Sequence, residues 1–271
     1  MKRSICIGLL LFTINCWAKD KTVAVKTEEN ITAKTIDGIT GSVVPVVCAY
    51  RDEHNEFHVS FIAGSGFFVD PSGRFITDNH VVIGWEESIK RTHACNPSIY
   101  IPDQGWGGKF EPNFRAEFFT FGTCATDPVS DLAVCDLTEN PFTSKRFPSQ
   151  PNITTVSFDT TEWHPGTPVA FTGFPLQYTI PVTSIGYIGA LTGIESSGTG
   201  GYDYIIDKAT WPGASGSPIF LSNGKVIGII QKRGTNEASG LAYGRSAAII
   251  VNFLSKHPAT DTKTEDQNPK R

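Results

Sequence analysis

Three short stretches hold residue types that can do chemistry together. Thr77-Asp78-Asn79-His80-Val81-Val82 follows a strand-like run, Ser130-Asp131-Leu132-Ala133-Val134 opens another, and Trp211-Pro212-Gly213-Ala214-Ser215-Gly216-Ser217-Pro218 is a glycine-rich turn centred on a serine. In chain order they supply His80, Asp131 and Ser215, one of the orders in which a nucleophilic triad occurs. A serine hydroxyl is a weak nucleophile at neutral pH, so a base must take its proton as it attacks a carbonyl. Imidazole titrates near the working pH, and a carboxylate beside it fixes the tautomer and stabilises the imidazolium. The oxyanion that forms needs preorganised donors, each worth about 3 kcal/mol. Glycines around Ser215 allow a turn tight enough to aim the Gly213 and Ser215 amides at one point. Each stretch alone has an ordinary use, as a loop histidine, a turn aspartate or a structural glycine turn. Their conjunction points to acyl transfer.

The elements that must position these residues read as short strands. Apolar runs at Val43–Tyr50, Val59–Val69, Phe75–Val82, Phe114–Thr123 and Leu132–Leu137 form one group. A second comprises Pro168–Phe174, Thr183–Thr192, Tyr202–Lys208, Ser217–Leu221, Lys225–Lys232 and Leu241–Ile249. Turn signals such as Asp70-Pro71-Ser72-Gly73 and Ser222-Asn223-Gly224 separate them, the pattern of a sandwich or barrel. Thr138–Pro165, rich in Pro, Ser and Thr, reads as a connector between two all-β halves. Helix is expected only as a turn or two at Gly84–Arg91 and as an amphipathic stretch at Ala247–Lys256. Residues 19–40 read as a flexible arm or short pro-segment, and 258–271 as a polar tail.

With 271 residues, 39% of them hydrophobic and 18% charged, the chain can bury a sizeable core and is not a solvated disordered polymer. A net charge of −4 gives no basic footprint for nucleic acid. Lys2 and Arg3, an apolar run from Ile5 to Ile14 and the small-residue end Cys16-Trp17-Ala18 make residues 1–18 a secretory signal peptide. Its removal takes the net charge from −4 to −6 and leaves no run long enough to span a membrane. The expected location is therefore secreted or periplasmic. Cys48, Cys95, Cys124 and Cys135 remain, an even set for an oxidising compartment, with three complete pairings open. A Cys95–Cys124 bridge would staple the segment Asn96–Thr123, and a Cys48–Cys135 bridge would join two first-half strands. No Cys-x2-Cys pair occurs, so no metal site is expected from the cysteines.

From about Val43 to His257 the chain resembles trypsin-like serine proteases with the chymotrypsin fold, in particular bacterial HtrA-type and glutamyl-endopeptidase-type domains. The resemblance lies in Gly64-Ser65-Gly66-Phe67, Ile76-Thr77-Asp78-Asn79-His80-Val81-Val82, Ser130-Asp131-Leu132-Ala133-Val134, Gly173-Phe174-Pro175, Gly213-Ala214-Ser215-Gly216-Ser217-Pro218 and Val226-Ile227-Gly228-Ile229. It implies an all-β fold of two packed six-stranded antiparallel barrels with a short C-terminal helix. The protease domain would span residues 41–257, with barrels at about 41–140 and 165–250 and no PDZ domain after them. It implies His80 as base, Asp131 as orienting carboxylate, Ser215 as nucleophile and the Gly213 and Ser215 amides as oxyanion hole, with no cofactor. Ala214 stands where the family commonly has Asn or Asp.

By the same resemblance, Ala209 and Thr210 form one wall of the substrate pocket and Ile229, Ile230 and Gln231 another. Ala209 occupies the position at which proteases with a basic preference carry Asp, so an Arg or Lys side chain would find no counter-charge. Ile230 replaces the His of the glutamyl-endopeptidase branch, although Thr210 matches that branch. A small or apolar side chain is the expected occupant. The reading is an exported serine endopeptidase acting on protein or peptide substrates; the rival is a binding or scaffold protein on a retired protease fold.

Overall fold

The computed structural model describes residues 30–84, 95–106, 115–193, 202–233 and 240–259. The signal segment, most of the helical turn expected at Gly84–Arg91 and most of the polar tail lie outside the described residues. In the first half, β1 (Val43–Arg51), β2 (Phe57–Phe68), β3 (Arg74–Thr77), β4 (Asn96–Pro102), β5 (Ala116–Thr120), β6 (Ala125–Asp127) and β7 (Leu132–Asp136) form one antiparallel sheet, ordered β5-β4-β1-β2-β3-β7-β6. In the second, β8 (Pro168–Gly173), β9 (Val182–Gly193), β10 (Tyr202–Ile206), β11 (Pro218–Phe220), β12 (Val226–Arg233) and β13 (Ala242–Ser246) close into a barrel, β10-β13-β12-β11-β8-β9.

The second half is the six-stranded barrel that was expected, but the first is a seven-stranded sheet and not a closed six-stranded barrel. The reason is β6, which occupies the edge of β7 from Ala125 opposite Val134 to Asp127 opposite Leu132. β5 therefore meets the β7 side only past that point, through the Phe121–Leu137 bridge and the Thr138 amide donating to Thr120 O at 2.9 Å. Strand β4 falls outside the apolar runs read from the sequence. Pro97 and Pro102 disguise it, since proline interrupts a strand signal. Yet Ile99, Tyr100 and Ile101 between them are buried.

Three apolar clusters hold the halves. One lies inside the first sheet (Val44, Val46, Phe68, Phe75, Ile99), one inside the barrel (Val169, Ile188, Tyr204, Ile219, Ile230), and the third joins the two (Val43, Val47, Phe67, Ala170, Phe174, Phe220, Ile229). On β12 Val226 and Ile229 face the shared cluster while Ile227 and Ile230 face the barrel interior, a departure from simple alternation that coincides with the register shift opposite Ile219 and Phe220. At the C-terminus, α2 (Ala247–Lys256) buries Ile249, Ile250 and Phe253 against the shared cluster, as its pattern predicts.

Residues 33–40, expected within a flexible arm, instead form the helix α1 (Ala33–Thr40). Thr32 caps it, its hydroxyl accepting the Thr35 amide at 3.3 Å. Ile39 joins the shared core, with Ile31 and Ile36 packed against it. The connector is likewise tied down: the Thr154 amide donates to Gly41 O, the Val156 amide to Phe68 O, and Phe158 bridges Val226 in parallel. Among the described residues no helix is long and apolar enough to cross a membrane.

Disulfides join Cys48 to Cys95 and Cys124 to Cys135, so neither of the two bridges considered from the sequence forms. The partners are set by the sheet: Cys48 on β1 faces Pro97 at the start of β4, so Cys95 arrives beside it, and β6 carries Cys124 alongside β7. The first closes a loop with a sequence separation of 47 and the second one of 11. Loop-closure entropy then assigns them about 4 and about 3 kcal/mol. Urea unfolding of the Cys48→Ala/Cys95→Ala and Cys124→Ala/Cys135→Ala double variants should show the larger loss in the first; the opposite ranking would contradict the entropic account.

Candidate active site

The seam between the halves gathers the residues singled out by the sequence. His80 lies at the start of a helical segment, residues 79–84, that follows β3. Asp131 lies in the turn into β7, with a left-handed backbone (φ 53°) that aspartate tolerates better than most residues. The Asp127 carboxylate builds that turn by accepting the Val129 and Ser130 amides at 3.0 and 3.3 Å. Asp131 then grips the helix start twice. Its Oδ1 accepts the His80 amide at 2.9 Å, and its Oδ2 lies 2.8 Å from His80 Nδ1. A carboxylate there accepts, so Nδ1 carries the proton and Nε2 is left with a free lone pair. The carbonyl of Asp131 accepts the Asn79 amide at 3.2 Å, locking the same junction from behind.

Ser215 sits on a turn that only glycine permits on either side. Gly213 and Gly216 have φ of 95° and 88°. A Cβ on Gly213 would collide with Phe174 O, and one on Gly216 with Ser65 O. Among the described residues neither the Gly213 nor the Ser215 amide donates a hydrogen bond, while the Ala214 amide between them is committed to Trp211 O at 3.0 Å. That leaves two free donors flanking the hydroxyl, as an oxyanion site requires. The Ser215 hydroxyl itself donates to Gln231 O at 3.0 Å and makes no hydrogen bond to His80.

Gln231 links the pieces. Its backbone holds the Ser215 hydroxyl, and its buried amide donates to Ser130 O at 2.6 Å and Asp131 O at 3.3 Å. It was expected as a pocket wall and is instead a clamp between the nucleophile turn and the Asp131 turn. Ile229 and Ile230 have their side chains wholly buried in the apolar clusters and do not line the cavity that holds Ala209 and Thr210. Ala209 and Thr210 do line a cavity of about 170 Å³ with Phe171, Tyr178, Val182, Trp211 and Ala214. The Thr210 hydroxyl is buried there without a partner. A cleft of about 930 Å³ also opens on the first sheet among Arg51, His58, Glu117 and Arg146, but none of the three triad candidates lines it.

Two contributors stood within the quoted motifs without an assigned role. Ser65, fully buried, donates its amide to Ser215 O at 2.7 Å and its hydroxyl to Gly213 O at 2.7 Å, and that hydroxyl accepts the Phe174 amide at 2.9 Å. Asp78, also fully buried, has neither carboxylate oxygen hydrogen-bonded. Its Oδ2 lies 4.0 Å from His80 Nδ1. Burial raises its pKa well above the usual carboxylate value and the nearby Asp131 charge adds to this, with the Gly216 amide and Arg245 pulling back weakly. The Gly216 amide offers little, because its proton is already given to Ile230 O at 2.8 Å.

Residues 64–229 match the family model of the trypsin-like peptidase domain. The chain belongs to that family and is a serine-type peptidase. Solved structures agree in fold. The active form of the Rv3671c protease from M. tuberculosis superposes with a TM-score of 0.55 at 19% identity, over 83% of this chain and 85% of that one. The HtrA-type protease AlgW with decapeptide gives a TM-score of 0.57 at 16% identity, over 83% of this chain and 66% of that one. The inactive form of Rv3671c gives 0.54 at 19% identity, over 83% and 93%. No curated protein sequence matches the chain.

Asp78 yields a stability prediction. Its folded pKa lies above the ordinary 3.8, so between those two values the folded chain holds a proton that the unfolded chain has lost. Stability from this group is therefore intact below about pH 4 and declines as pH rises toward the folded pKa. Asp78→Asn, which cannot ionise, should match the parent's melting temperature near pH 3 and exceed it by about 3 °C or more at neutral pH. A melting-temperature difference that stays constant with pH would contradict this.

Proposed function

We propose that this peptidase is an exported endopeptidase that cuts through an acyl-enzyme on Ser215. The observation that carries the reading is the 2.8 Å contact of Asp131 Oδ2 with His80 Nδ1, which leaves Nε2 as the proton acceptor. In the reaction the Ser215 hydroxyl turns from Gln231 O toward His80 Nε2, gives up its proton and attacks the substrate carbonyl. Catalytic hydrogen bonds often align only once substrate is bound, so the resting rotamer is compatible with this role. The Gly213 and Ser215 amides receive the oxyanion, His80 returns the proton to the leaving amine, and water repeats the sequence to release the acyl group. No cofactor enters any step. Export is supported by the leader pattern of residues 1–18 and by the two disulfides, which persist in oxidising compartments.

The cavity beside the nucleophile turn supports a preference for small or apolar side chains. Phe171, Val182, Ala209 and Ala214 line it, and its lining holds no charged residue. A second reading, a binding protein on a retired protease fold, is favoured by one observation: the Ser215 hydroxyl is engaged by Gln231 O and not by His80.

One experiment separates the two. The chain from about Lys19 and its Ser215→Ala variant are treated with a fluorophosphonate label and a mixed peptide library. The parent should label and cut after small or apolar residues, with kcat in Ser215→Ala lower by on the order of 10⁶. A folded, disulfide-complete parent that neither labels nor cuts would overturn the endopeptidase reading and leave a latent zymogen or a retired binding fold. Cuts confined to basic or acidic residues would overturn the pocket assignment alone.

A further inference from the structure

Asp78 lies two positions before His80, beneath the contact of His80 with Asp131. One donor atom each from Asp78, His80 and Asp131 lie within 4.8 Å of one another, with Nδ1 at 2.8 Å from Asp131 Oδ2 and 4.0 Å from Asp78 Oδ2. Asp78 is fully buried and unpartnered, its carboxylate aimed at this point. Arg245 acts on it only through space, its guanidinium being paired with Asp203 at 2.8 Å. A buried carboxylate without a hydrogen bond or counter-ion is costly, and a second carboxylate beside it increases the cost. A cation is what the arrangement lacks.

We propose that Asp78, Asp131 and His80 Nδ1 form an inhibitory site for a divalent cation of the zinc type, which switches the peptidase off by taking the base's Nδ1. The proposal rests on the reading of His80 as general base. Tetrahedral zinc with nitrogen and oxygen ligands at 2.0–2.2 Å sets neighbouring donor atoms roughly 3.3–3.6 Å apart. The two distances to Nδ1, 2.8 and 4.0 Å, bracket that spacing, and all three donor atoms lie within 4.8 Å of one another, so side-chain adjustment alone can complete the site. Two carboxylates and a neutral imidazole balance a doubly charged ion, and water fills the fourth position. Calcium and magnesium, which take six or more oxygens, fit this nitrogen-containing three-ligand set poorly. The His80 side chain is 48% exposed, which gives the ion a route in.

The chemistry balances without an oxidant or reductant. Nδ1 gives its lone pair to the metal and its proton passes through water to Nε2. Asp78 binds as the carboxylate, any proton on it passing to solvent. Nε2 then carries hydrogen and cannot accept the Ser215 proton, so hydrolysis stops while the substrate cavity stays open. Titratable and charged groups facing Asp78 are Asp131, Arg245 and the His80 ring.

The test uses zinc chloride and the Ser215→Ala variant, which keeps all three ligands and cannot digest itself. A competing indicator should report one zinc per chain, weakened by about ten-fold or more by Asp78→Asn. The exposed Asp52, Glu56 and His58 could also hold an ion, so His58→Ala serves as control and should leave the affinity unchanged. In a ¹⁵N spectrum of Ser215→Ala, zinc should shift His80 Nδ1 and leave Nε2 protonated, a readout that does not depend on any Asp78 variant folding. For the active parent, zinc should block fluorophosphonate labelling reversibly, with chelator restoring it. Equal affinity in Asp78→Asn, loss in His58→Ala instead, or an unshifted His80 ring would each overturn the site. A parent that never labels would defeat the endopeptidase reading, while the zinc titration of Ser215→Ala would still decide the metal site.

Discussion

One buried serine fixes the relation between the two halves. Ser65, on β2 of the first sheet, uses its amide for Ser215 O, its hydroxyl for both Gly213 O and the Phe174 amide, and its carbonyl for the Thr77 hydroxyl. No polar group of this residue is wasted, as a buried site demands. The bonds also cross the one boundary that matters: Thr77 leads directly to His80, while Gly213 and Ser215 belong to the barrel side. The close approach is possible because Gly173 and Gly216 have no side chain; a Cβ on either would run into Ser65. The shared cluster of Val43, Phe67, Phe174, Phe220 and Ile229 closes around this seam and keeps water from competing for its hydrogen bonds.

Two carboxylates beside one imidazole are treated in opposite ways. Asp131 is partly exposed and occupied by the His80 amide and ring, so each of its oxygens has a partner. Asp78 is sealed in and has none. The same side chain is thus a working acceptor in one place and an electrostatic liability in the other, and the difference comes from surroundings alone. Proteins tend to carry such locally unfavourable groups where function requires them.

Much of this was legible in the residues. The His80, Asp131 and Ser215 stretches, the all-β character and the helix at Ala247–Lys256 all followed from local pattern, because strand alternation and turn chemistry act over a few residues. What depended on distant partners was not legible. The cysteine pairing was set by which strands lie side by side, and β4 was hidden by its prolines. Ile229 and Ile230 sit in a continuous apolar run buried on both faces, which no single-face pattern distinguishes from a pocket wall. Gln231 and Ser65 do their work through bonds to residues about 100 and 150 positions away. The arm was misread because Ile31, Ile36 and Ile39 form a stripe too short to stand out.

That stripe bears on how such an enzyme could be matured. In α1 Ile39 lies in the shared core, the Thr35 hydroxyl donates to Ser222 O across the barrel, and Ser42 ties the helix end to β1. A scission anywhere in Ala33–Gly41 would pull out packed structure instead of trimming a loose leader. The helix before β1 is thus part of the packed structure that carries the site, and its loss would open the shared cluster.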